Sequence, residues 1–433
     1  MTSFGKDSAP GLGCTRRQWL QAGALGASFS LANFLRLQAE AGESDRGRSA
    51  ILVFLGGGPS HQDTLDMKPG APAEYRGQFR PIRTDTAGVE ICEHLPRLAK
   101  RSSRYAVVRG ITHNLAAHSL GTRYLMTGNR PTPVLEYPMY GSVASREFPA
   151  AKDLPSFVSI DRPVEGPGYL GPEYGPLSTG EKPRYGQPFR VRGITLGDGL
   201  TIESYRDRRR LLQDIDNAFD GYERLDDAVR GLDRFSEQAF NIISSPRARN
   251  AFDLSLEPDR EIERFGRHDF GQGMLLTSRL IEAGVRFVTV LLEGWDTHQD
   301  NFGTLGRELL PRLDQSLSGL LDRLGETGRL DSTTVLVTGE FGRTPKVNAN
   351  AGRDHWARAM CAMMAGAGVA TGQVIGETDA KAEGPVDKGF SPDDLAASFF
   401  QAMGIDPNKE YEANVGRPIT LVRDGAPIAG LLK

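Results

Sequence analysis

One stretch of the chain, residues 286–301 (RFVTVLLEGWDTHQDN), constrains the fold more than any other. Its apolar, β-branched run 287–292 predicts a strand that is buried on both faces, as in a parallel sheet covered by helices. Asp296 and His298 follow closely, and open α/β sheets bind ligands beyond the carboxyl ends of their strands. An Asp-x-His pair suits a divalent metal. The alternative is an ordinary polar turn in which Asp296 or Thr297 caps the next helix.

Further apolar runs predict the other strands of the same sheet. They are residues 50–55, 105–108, 156–160 and 333–338. Leucines recur at spacings of three and four from Leu309 to Leu324, which indicates an amphipathic helix between the last two strands. Strand, helix and strand at this distance form a βαβ unit. The sequence therefore predicts an α/β fold with a central, mostly parallel sheet and helices on both faces.

The N-terminus has the layout of an export signal. Arg16 and Arg17 lie in a twin-arginine pattern, a modestly apolar run covers residues 20–35, and Ala39-Glu40-Ala41 is an A-x-A-type cleavage site. We predict a twin-arginine (Tat) signal peptide at residues 1–41, contact with the Tat translocase during export, and a periplasmic or secreted protein. The run is too short and glycine-rich to span a bilayer stably. The alternative is a disordered N-terminus.

The remaining chain, residues 42–433, is predicted to be a single domain. Residues 161–265 form an inserted region within it, first rich in Gly and Pro and then in charged residues at helical spacing. The formal net charge is −3, with no basic face of the kind that binds nucleic acid. We expect no later membrane span. Cysteine spacing gives neither a zinc finger nor a disulfide framework, and whether Cys92 and Cys361 pair is left open.

The loops after the first two predicted strands carry candidate site residues. Residues 56–66 combine three glycines, which let the backbone approach a ligand closely, with His61 and the possible ligand Asp63. After the second strand, a helix is predicted to start near His118. Ser119 then lies in its first turn, where free N–H groups favour an anion or an ionised nucleophile. The alternatives are a tight turn in the first loop and a helix cap in the second.

Two more polar loops complete the set. Glu340 follows the strand 333–338 directly, a costly place for a carboxylate that is neither paired nor metal-bound. His355 comes soon after it and supplies another imidazole, while Arg123, one turn after Ser119, suits an anionic substrate. The fold would gather these loops along one edge of the sheet.

Several motifs make the chain resemble the bacterial exported family known as domain of unknown function 1501. They are 57–69 (GGPSHQDTLDMKP), 270–273 (FGQG), 279–288 (RLIEAGVRFV), 294–298 (GWDTH), 339–345 (GEFGRTP), 352–356 (GRDHW) and the tail 391–405, SPDDLAASFFQAMGI. The family is similar in fold to sulfatases and alkaline phosphatases. The resemblance therefore implies an alkaline-phosphatase-like fold and two metal sites that serve hydrolysis of phosphate or sulfate esters.

The resemblance also implies roles for particular residues. Asp296, His298 and His355 match the positions that hold one divalent ion, whose identity (Zn, Ca or Mg) is left open. Asp63, with Asp66 as its alternative, and Glu340 match the second ion site, together with a nucleophile at Ser119. His118 and Arg123 complete the predicted catalytic set, and Arg343 is an alternative to Arg123 for contacting the oxygens of a small anionic ester.

The chain departs from the superfamily pattern in two places. Glu340-Phe341 stands where a late Asp-His or Asp-Asn pair is expected, and there is no Cys-x-Pro-x-Arg motif for a formylglycine nucleophile. Two hypotheses follow: an exported, metal-dependent ester hydrolase, or a non-catalytic exported binding or surface-assembly protein that keeps the fold.

Overall fold

The apolar runs of the sequence lie side by side in one sheet. A computed structural model of the chain describes residues 48–191, 194, 203–204, 207, 210, 240–412, 416 and 418–433. Within these residues the sheet has eight strands, and the five strands predicted from the sequence all belong to it. The predicted α/β fold is confirmed.

Strands and helices are numbered in chain order. The strands are β1 (Ser49–Gly56), β2 (Pro81–Arg83), β3 (Glu90–Cys92), β4 (Tyr105–Ile111), β5 (Phe157–Ser159), β6 (Leu177–Ser178), β7 (Phe287–Glu293), β8 (Thr333–Thr338), β9 (Gly342–Arg343), β10 (His355–Trp356), β11 (Met360–Gly366), β12 (Gln373–Ile375), β13 (Glu410–Glu412) and β14 (Pro418–Thr420). The helices are α1 (Ala73–Arg76), α2 (Pro96–Ala99), α3 (His118–Thr127), α4 (Tyr140–Glu147), α5 (Pro246–Phe252), α6 (Asp259–Phe265), α7 (Asp269–Ala283), α8 (Asn301–Thr304), α9 (Leu310–Glu326) and α10 (Pro392–Met403).

The strand order of the sheet is β12-β4-β11-β8-β1-β7-β5-β6, and the five predicted strands are β1, β4, β5, β7 and β8. The sheet is mostly parallel. β1 pairs in parallel with both β7 and β8, while β11 runs antiparallel between β8 and β4. Sequence reasoning missed β11, because its run MCAMMAG is built from Met and Ala, and neither is a typical strand former. β1, β4, β7 and β8 share one direction, so their carboxyl ends meet at the same edge of the sheet.

Side chains of each central strand alternate between two apolar layers, as the period of two in a strand requires. In β1, Ile51 and Val53 pack in the layer that contains α7 and α9. Leu52 and Phe54 pack in the layer that contains α3, α4 and α10. Helices therefore cover both faces, as the sequence predicts.

The tail forms the predicted closing helix. Ser391 caps α10 in a capping box with Asp394, and Gly404 ends the helix with a φ of +83°. Both ends of α10 are thus set by local sequence.

Two sequence predictions fall wholly or partly outside the described residues. The signal peptide at residues 1–41 lies outside them, as does much of the inserted region predicted for 161–265. The described parts of that region include β6, which joins the edge of the sheet, and α5 and α6, which pack near α7. The division into domains stays a prediction.

Among the described residues, we find no helix with the length and apolarity that crossing a membrane requires.

Candidate metal centre

Three strand ends and one hairpin bring candidate residues to the same edge of the sheet. His118 is the first residue of α3, which follows β4. Asp296 and His298 follow β7, and Glu340 follows β8. His355 reaches the same place from the short hairpin β9–β10, where it pairs with Arg343.

These loops bring three imidazoles around one carboxylate. Asp296 Oδ1 lies 3.0 Å from His298 Nε2 and 3.1 Å from His355 Nε2. The two imidazole nitrogens lie 3.1 Å from each other. Asp296 Oδ2 lies 3.3 Å from His118 Nε2. His118, Asp296 and His355 offer ligand atoms that all lie within 4.8 Å of one another.

Each imidazole is oriented through its other nitrogen, Nδ1. His118 Nδ1 lies 2.7 Å from Glu340 Oε1, and His298 Nδ1 lies 2.6 Å from Asp354 Oδ1. His355 Nδ1 lies 2.8 Å from the Ala116 carbonyl oxygen. A carbonyl or carboxylate oxygen only accepts, so in all three rings Nδ1 carries the proton and Nε2 presents a lone pair when the ring is neutral. Histidines that bind metals are oriented in this way.

The residues present fit a divalent metal. With neutral rings, the lone pairs of His298 and His355 face each other, and a proton or a cation has to lie between them. Four-coordinate zinc with bonds of about 2.0–2.1 Å separates neighbouring ligand atoms by about 3.3 Å, close to the 3.0–3.3 Å between the Asp296 oxygens and the imidazole nitrogens. Among the described residues, the group whose ligand atoms all lie within 4.8 Å of one another is His118, Asp296 and His355. The cluster is also open to solvent, since 46% of the Asp296 side chain is exposed. A small solute can therefore reach it.

Electrostatics around the cluster favour a cation. Burial opposes ionisation of Asp296, but the hydrogen bond and the positive charge of the Arg343 guanidinium outweigh it and lower the pKa of Asp296 to about 2. The hydrogen bond that His118 donates to Glu340 raises the pKa of His118 above its ordinary value. The same negative groups that favour a proton on His118 favour a metal ion.

Arg343 fixes the position of Asp296. Its guanidinium is fully buried and donates to the Asp296 carboxylate and to the carbonyl oxygens of Gly57, Gly58 and Arg353. All of these contacts are within the protein, so Arg343 serves to orient the cluster rather than to contact substrate.

Glycine is required where the first loop meets the third. Gly57 has a φ of +118°, and a Cβ there would lie 2.3 Å from the backbone nitrogen of Asp296. Its N–H donates to Glu340 Oε1 at 2.9 Å. The glycine run after β1 therefore packs against the loop that carries Asp296 and helps to hold Glu340.

Glu340 supports a histidine in this structure. Its Oε1 accepts from Gly57 and His118, whereas its buried Oε2 has no hydrogen-bond partner among the described residues. The predicted role of Glu340 as a direct metal ligand stays a prediction. The contact that the structure shows is the hydrogen bond from His118 Nδ1.

Asp63 does not join the cluster. Its carboxylate is fully buried and accepts hydrogen bonds from Arg353 Nε at 2.7 Å, Arg353 Nη2 at 3.0 Å and Asn301 Nδ2 at 2.9 Å. Ser60 adds a fourth hydrogen bond at 2.6 Å. Because these partners occupy both oxygens, we leave Asp63 out of the proposed metal site. Its alternative, Asp66, is fully buried and paired with Lys68 and Arg109.

The predicted catalytic residues lie at the same edge of the sheet. Ser119 is exposed in the first turn of α3, next to His118, and its side chain makes no hydrogen bond with another described residue. Arg123 lies one turn further on and forms an ion pair with Glu165 at 3.4 Å. Its predicted contact with substrate stays a prediction.

Sequence reasoning missed two supporting groups. Asp354 holds His298, and its own pKa is lowered chiefly by that hydrogen bond. His113 Nε2 lies 2.9 Å from the backbone oxygen of Glu340, which links the β4 loop to the β8 loop. The position of Asp354 next to His355 in the sequence could have indicated that Asp354 lies near the cluster. Nothing in the sequence could have indicated that the Ala116 carbonyl would orient His355.

Comparisons with known proteins give a family and a fold. Residues 47–432 match the model of a family described as "Protein of unknown function (DUF1501)". No curated protein matches the chain.

Several solved structures are similar in fold. Ps i-CgsB in complex with k-i-k-neocarrahexaose has a TM-score of 0.41 at 11% identity, covering 83% of this chain and 72% of that one. The PsFucS1 sulfatase from Pseudoalteromonas sp. has a TM-score of 0.36 at 12% identity, with coverages of 87% and 70%. A mutant TAB5 alkaline phosphatase with Mg bound has a TM-score of 0.34 at 10% identity, with coverages of 83% and 98%. Likeness at this level does not extend to substrate or reaction.

Replacing Asp63 tests its structural role. Asp63→Asn leaves the buried Arg353 without its counter-charge, and we expect the free energy of unfolding to fall by about 3–5 kcal/mol. Asp331→Asn, at an exposed site, should change it by less than about 0.5 kcal/mol. Urea denaturation measures both. Loss of bound metal from a folded Asp63→Asn protein, without loss of stability, would contradict this assignment.

Proposed function

Since the chain belongs to the DUF1501 family, whose description names no activity, we propose its function from the site itself: a metal-dependent hydrolase of phosphate or sulfate esters. The observation that supports this most is the convergence of three imidazole Nε2 atoms on Asp296, each ring oriented through Nδ1. A set of three His and one Asp favours Zn²⁺ over Mg²⁺ and Ca²⁺, which prefer oxygen ligands.

The chain's own residues would hold and orient the ion. His118, His298, His355 and Asp296 would be its ligands, and Arg343 keeps Asp296 ionised and in place. A divalent metal held there would act as a Lewis acid on an ester oxygen. The open face of the cluster gives an anionic ester access from solvent.

Ser119 is our candidate nucleophile. It is exposed, adjacent to His118, and lies in the first turn of α3, where unpaired backbone N–H groups favour a developing negative charge. Attack of its oxygen on the phosphorus or sulfur of the ester would expel the alcohol and form a phosphoserine or sulfoserine intermediate. Water would then hydrolyse this intermediate, releasing phosphate or sulfate and restoring the serine hydroxyl.

One observation favours the rival function, a binding or surface-assembly protein without turnover. Among the described residues, only one group of three or more ligating side chains is found, at His118, Asp296 and His355. Asp63 forms an ion pair with Arg353, and Glu340 accepts a hydrogen bond from His118. A protein with one ion and no second site can bind an anion without hydrolysing it.

Removing the central carboxylate tests the metal site. Asp296→Asn should lower zinc affinity by roughly a hundredfold or more, because it removes the charged ligand around which the three imidazoles are arranged. Asp300→Asn, on the same loop but exposed, should bind zinc like the wild type. Competition with a chromophoric chelator measures the affinities, and a panel of aryl phosphates and sulfates measures hydrolysis. Zinc binding without turnover of any ester would favour the rival function.

Ser119→Ala separates chemistry from metal binding. Hydrolysis should fall by at least about a hundredfold, because the attacking oxygen is lost. Zinc affinity should stay unchanged, since Ser119 is not among the proposed ligands. A Ser119→Ala enzyme with full activity would eliminate Ser119 and point to direct attack by water.

Export is the remaining part of the proposal. Its support is the Arg16-Arg17 pattern with the cleavage site that ends at Ala41. In a bacterial host with a Tat system, the full chain should reach the periplasm and begin at residue 42. Replacing both arginines by lysine should keep it in the cytoplasm. Fractionation and N-terminal sequencing measure this, and export of the double-lysine variant would refute a Tat signal.

A further inference from the structure

The ring of Phe341 packs against two of the proposed metal ligands. Its centroid lies 5.1 Å from the centroid of the His118 ring and 4.6 Å from that of the His355 ring. The centroids of the two imidazoles lie 4.4 Å apart. Phe341 is fully buried. An apolar ring therefore lies where two of the ligand imidazoles face the protein interior.

Two glycines make room for this ring. A Cβ at Gly58 would lie 2.6 Å from Phe341 Cδ2, and one at Gly121 would lie 3.1 Å from Phe341 Cδ1. Both distances are shorter than the ordinary contact of about 3.5–4.0 Å between carbon atoms, so a side chain at either position would displace the ring. Gly58 follows β1 and Gly121 lies within α3. The ring is therefore held in place by two separate parts of the chain.

The resemblance to sulfatases and alkaline phosphatases implies a second metal ion near this point of the chain. A late Asp-His or Asp-Asn pair is expected where this chain has Glu340 and Phe341. The imidazole or amide of the expected pair offers a lone pair to a metal, whereas a phenyl ring offers none. Phenylalanine at position 341 therefore removes a ligand and fills its place with carbon.

The other residues assigned to the second ion have few ligand atoms left. Asp63 binds Arg353 through both carboxylate oxygens. Glu340 Oε1 accepts two hydrogen bonds, one of them from His118, and Oε2 is buried with no partner among the described residues. Zinc sites in proteins use three or four protein ligands. One buried carboxylate oxygen, even with the Ser119 hydroxyl, does not supply such a set.

Two buried guanidinium groups supply positive charge beside these carboxylates. Arg343 donates to Asp296, and Arg353 forms an ion pair with Asp63 at 2.7 Å. Both arginine side chains are fully buried. Guanidinium groups stay protonated in proteins, so they neutralise carboxylates that would otherwise attract a further cation.

We propose that the centre holds a single divalent ion and that Phe341 closes the position of the second. The inference rests on the metal site of the proposed function, but it does not depend on hydrolysis. Phe341 is then a positioning residue, which packs against two ligand imidazoles and sets how many ions the centre accepts. An ester bound at the centre would meet one metal ion rather than a pair.

Counting bound zinc tests the proposal. Wild-type protein that is stripped with a chelator and then dialysed against zinc should hold one ion per chain, measured by mass spectrometry of the metal. Phe341→His adds a ligand nitrogen beside Glu340 and should hold two. Phe341→Asn adds an amide oxygen and should also hold two. Phe341→Leu is the matched control, since it removes the ring without adding a ligand, and it should hold one.

Cobalt shows whether an added ion lies next to the first. Two metal ions in one protein site lie about 3.5–4 Å apart, and two cobalt ions at that distance couple magnetically. Electron paramagnetic resonance of the wild type loaded with cobalt should therefore give the full signal of an isolated ion. The signal per cobalt should fall in Phe341→His. A second cobalt with an uncoupled signal would lie elsewhere on the protein and would overturn the role of Phe341.

The remaining outcomes separate this inference from the hydrolase. Two coupled ions in the wild type would overturn the single-ion centre and leave the hydrolase standing. One ion in both folded variants that add a ligand, Phe341→His and Phe341→Asn, would also overturn the role of Phe341. One ion in the wild type and two in these variants, without turnover of any ester, would support the inference and contradict the hydrolase. A wild type that binds no zinc would contradict both.

Discussion

The buried guanidinium of Arg343 is the contact on which the candidate site depends. A fully buried cation is stable only when it is paired and its N–H groups are satisfied. Arg343 meets this requirement with the Asp296 carboxylate and with backbone oxygens from the β1 loop and from Arg353. One side chain therefore connects the loops that follow β1, β7 and β8, and it holds Asp296 ionised where the imidazoles converge.

Around this contact, the fold brings together residues that lie far apart in the sequence. β1, β4, β7 and β8 are parallel, so their loops meet at one edge. Glycine at position 57 allows the first loop to lie against the backbone of Asp296. Each histidine is then held by a different partner, Glu340, Asp354 or the Ala116 carbonyl. The three Nε2 atoms therefore face the same carboxylate, that of Asp296.

Much of this arrangement could be predicted from the sequence, because local patterns determine it. Apolar β-branched runs located β1, β7 and β8, and the polar loops that follow them contained Asp296, His298 and His355. The run of β11 could not be found, since Met and Ala give no strand signal. The pairing of Asp63 with Arg353 joins residues 290 positions apart, and packing rather than spacing decides such pairs. For the same reason, the sequence could not show that Glu340 would hold His118.

The central claim is that a metal ion binds among His118, His298, His355 and Asp296. Anomalous diffraction at the zinc absorption edge, from crystals grown with one equivalent of zinc, tests it most directly. We expect one strong peak bounded by the three Nε2 atoms and the Asp296 carboxylate. A peak elsewhere, or no peak with the four side chains well ordered, would contradict it.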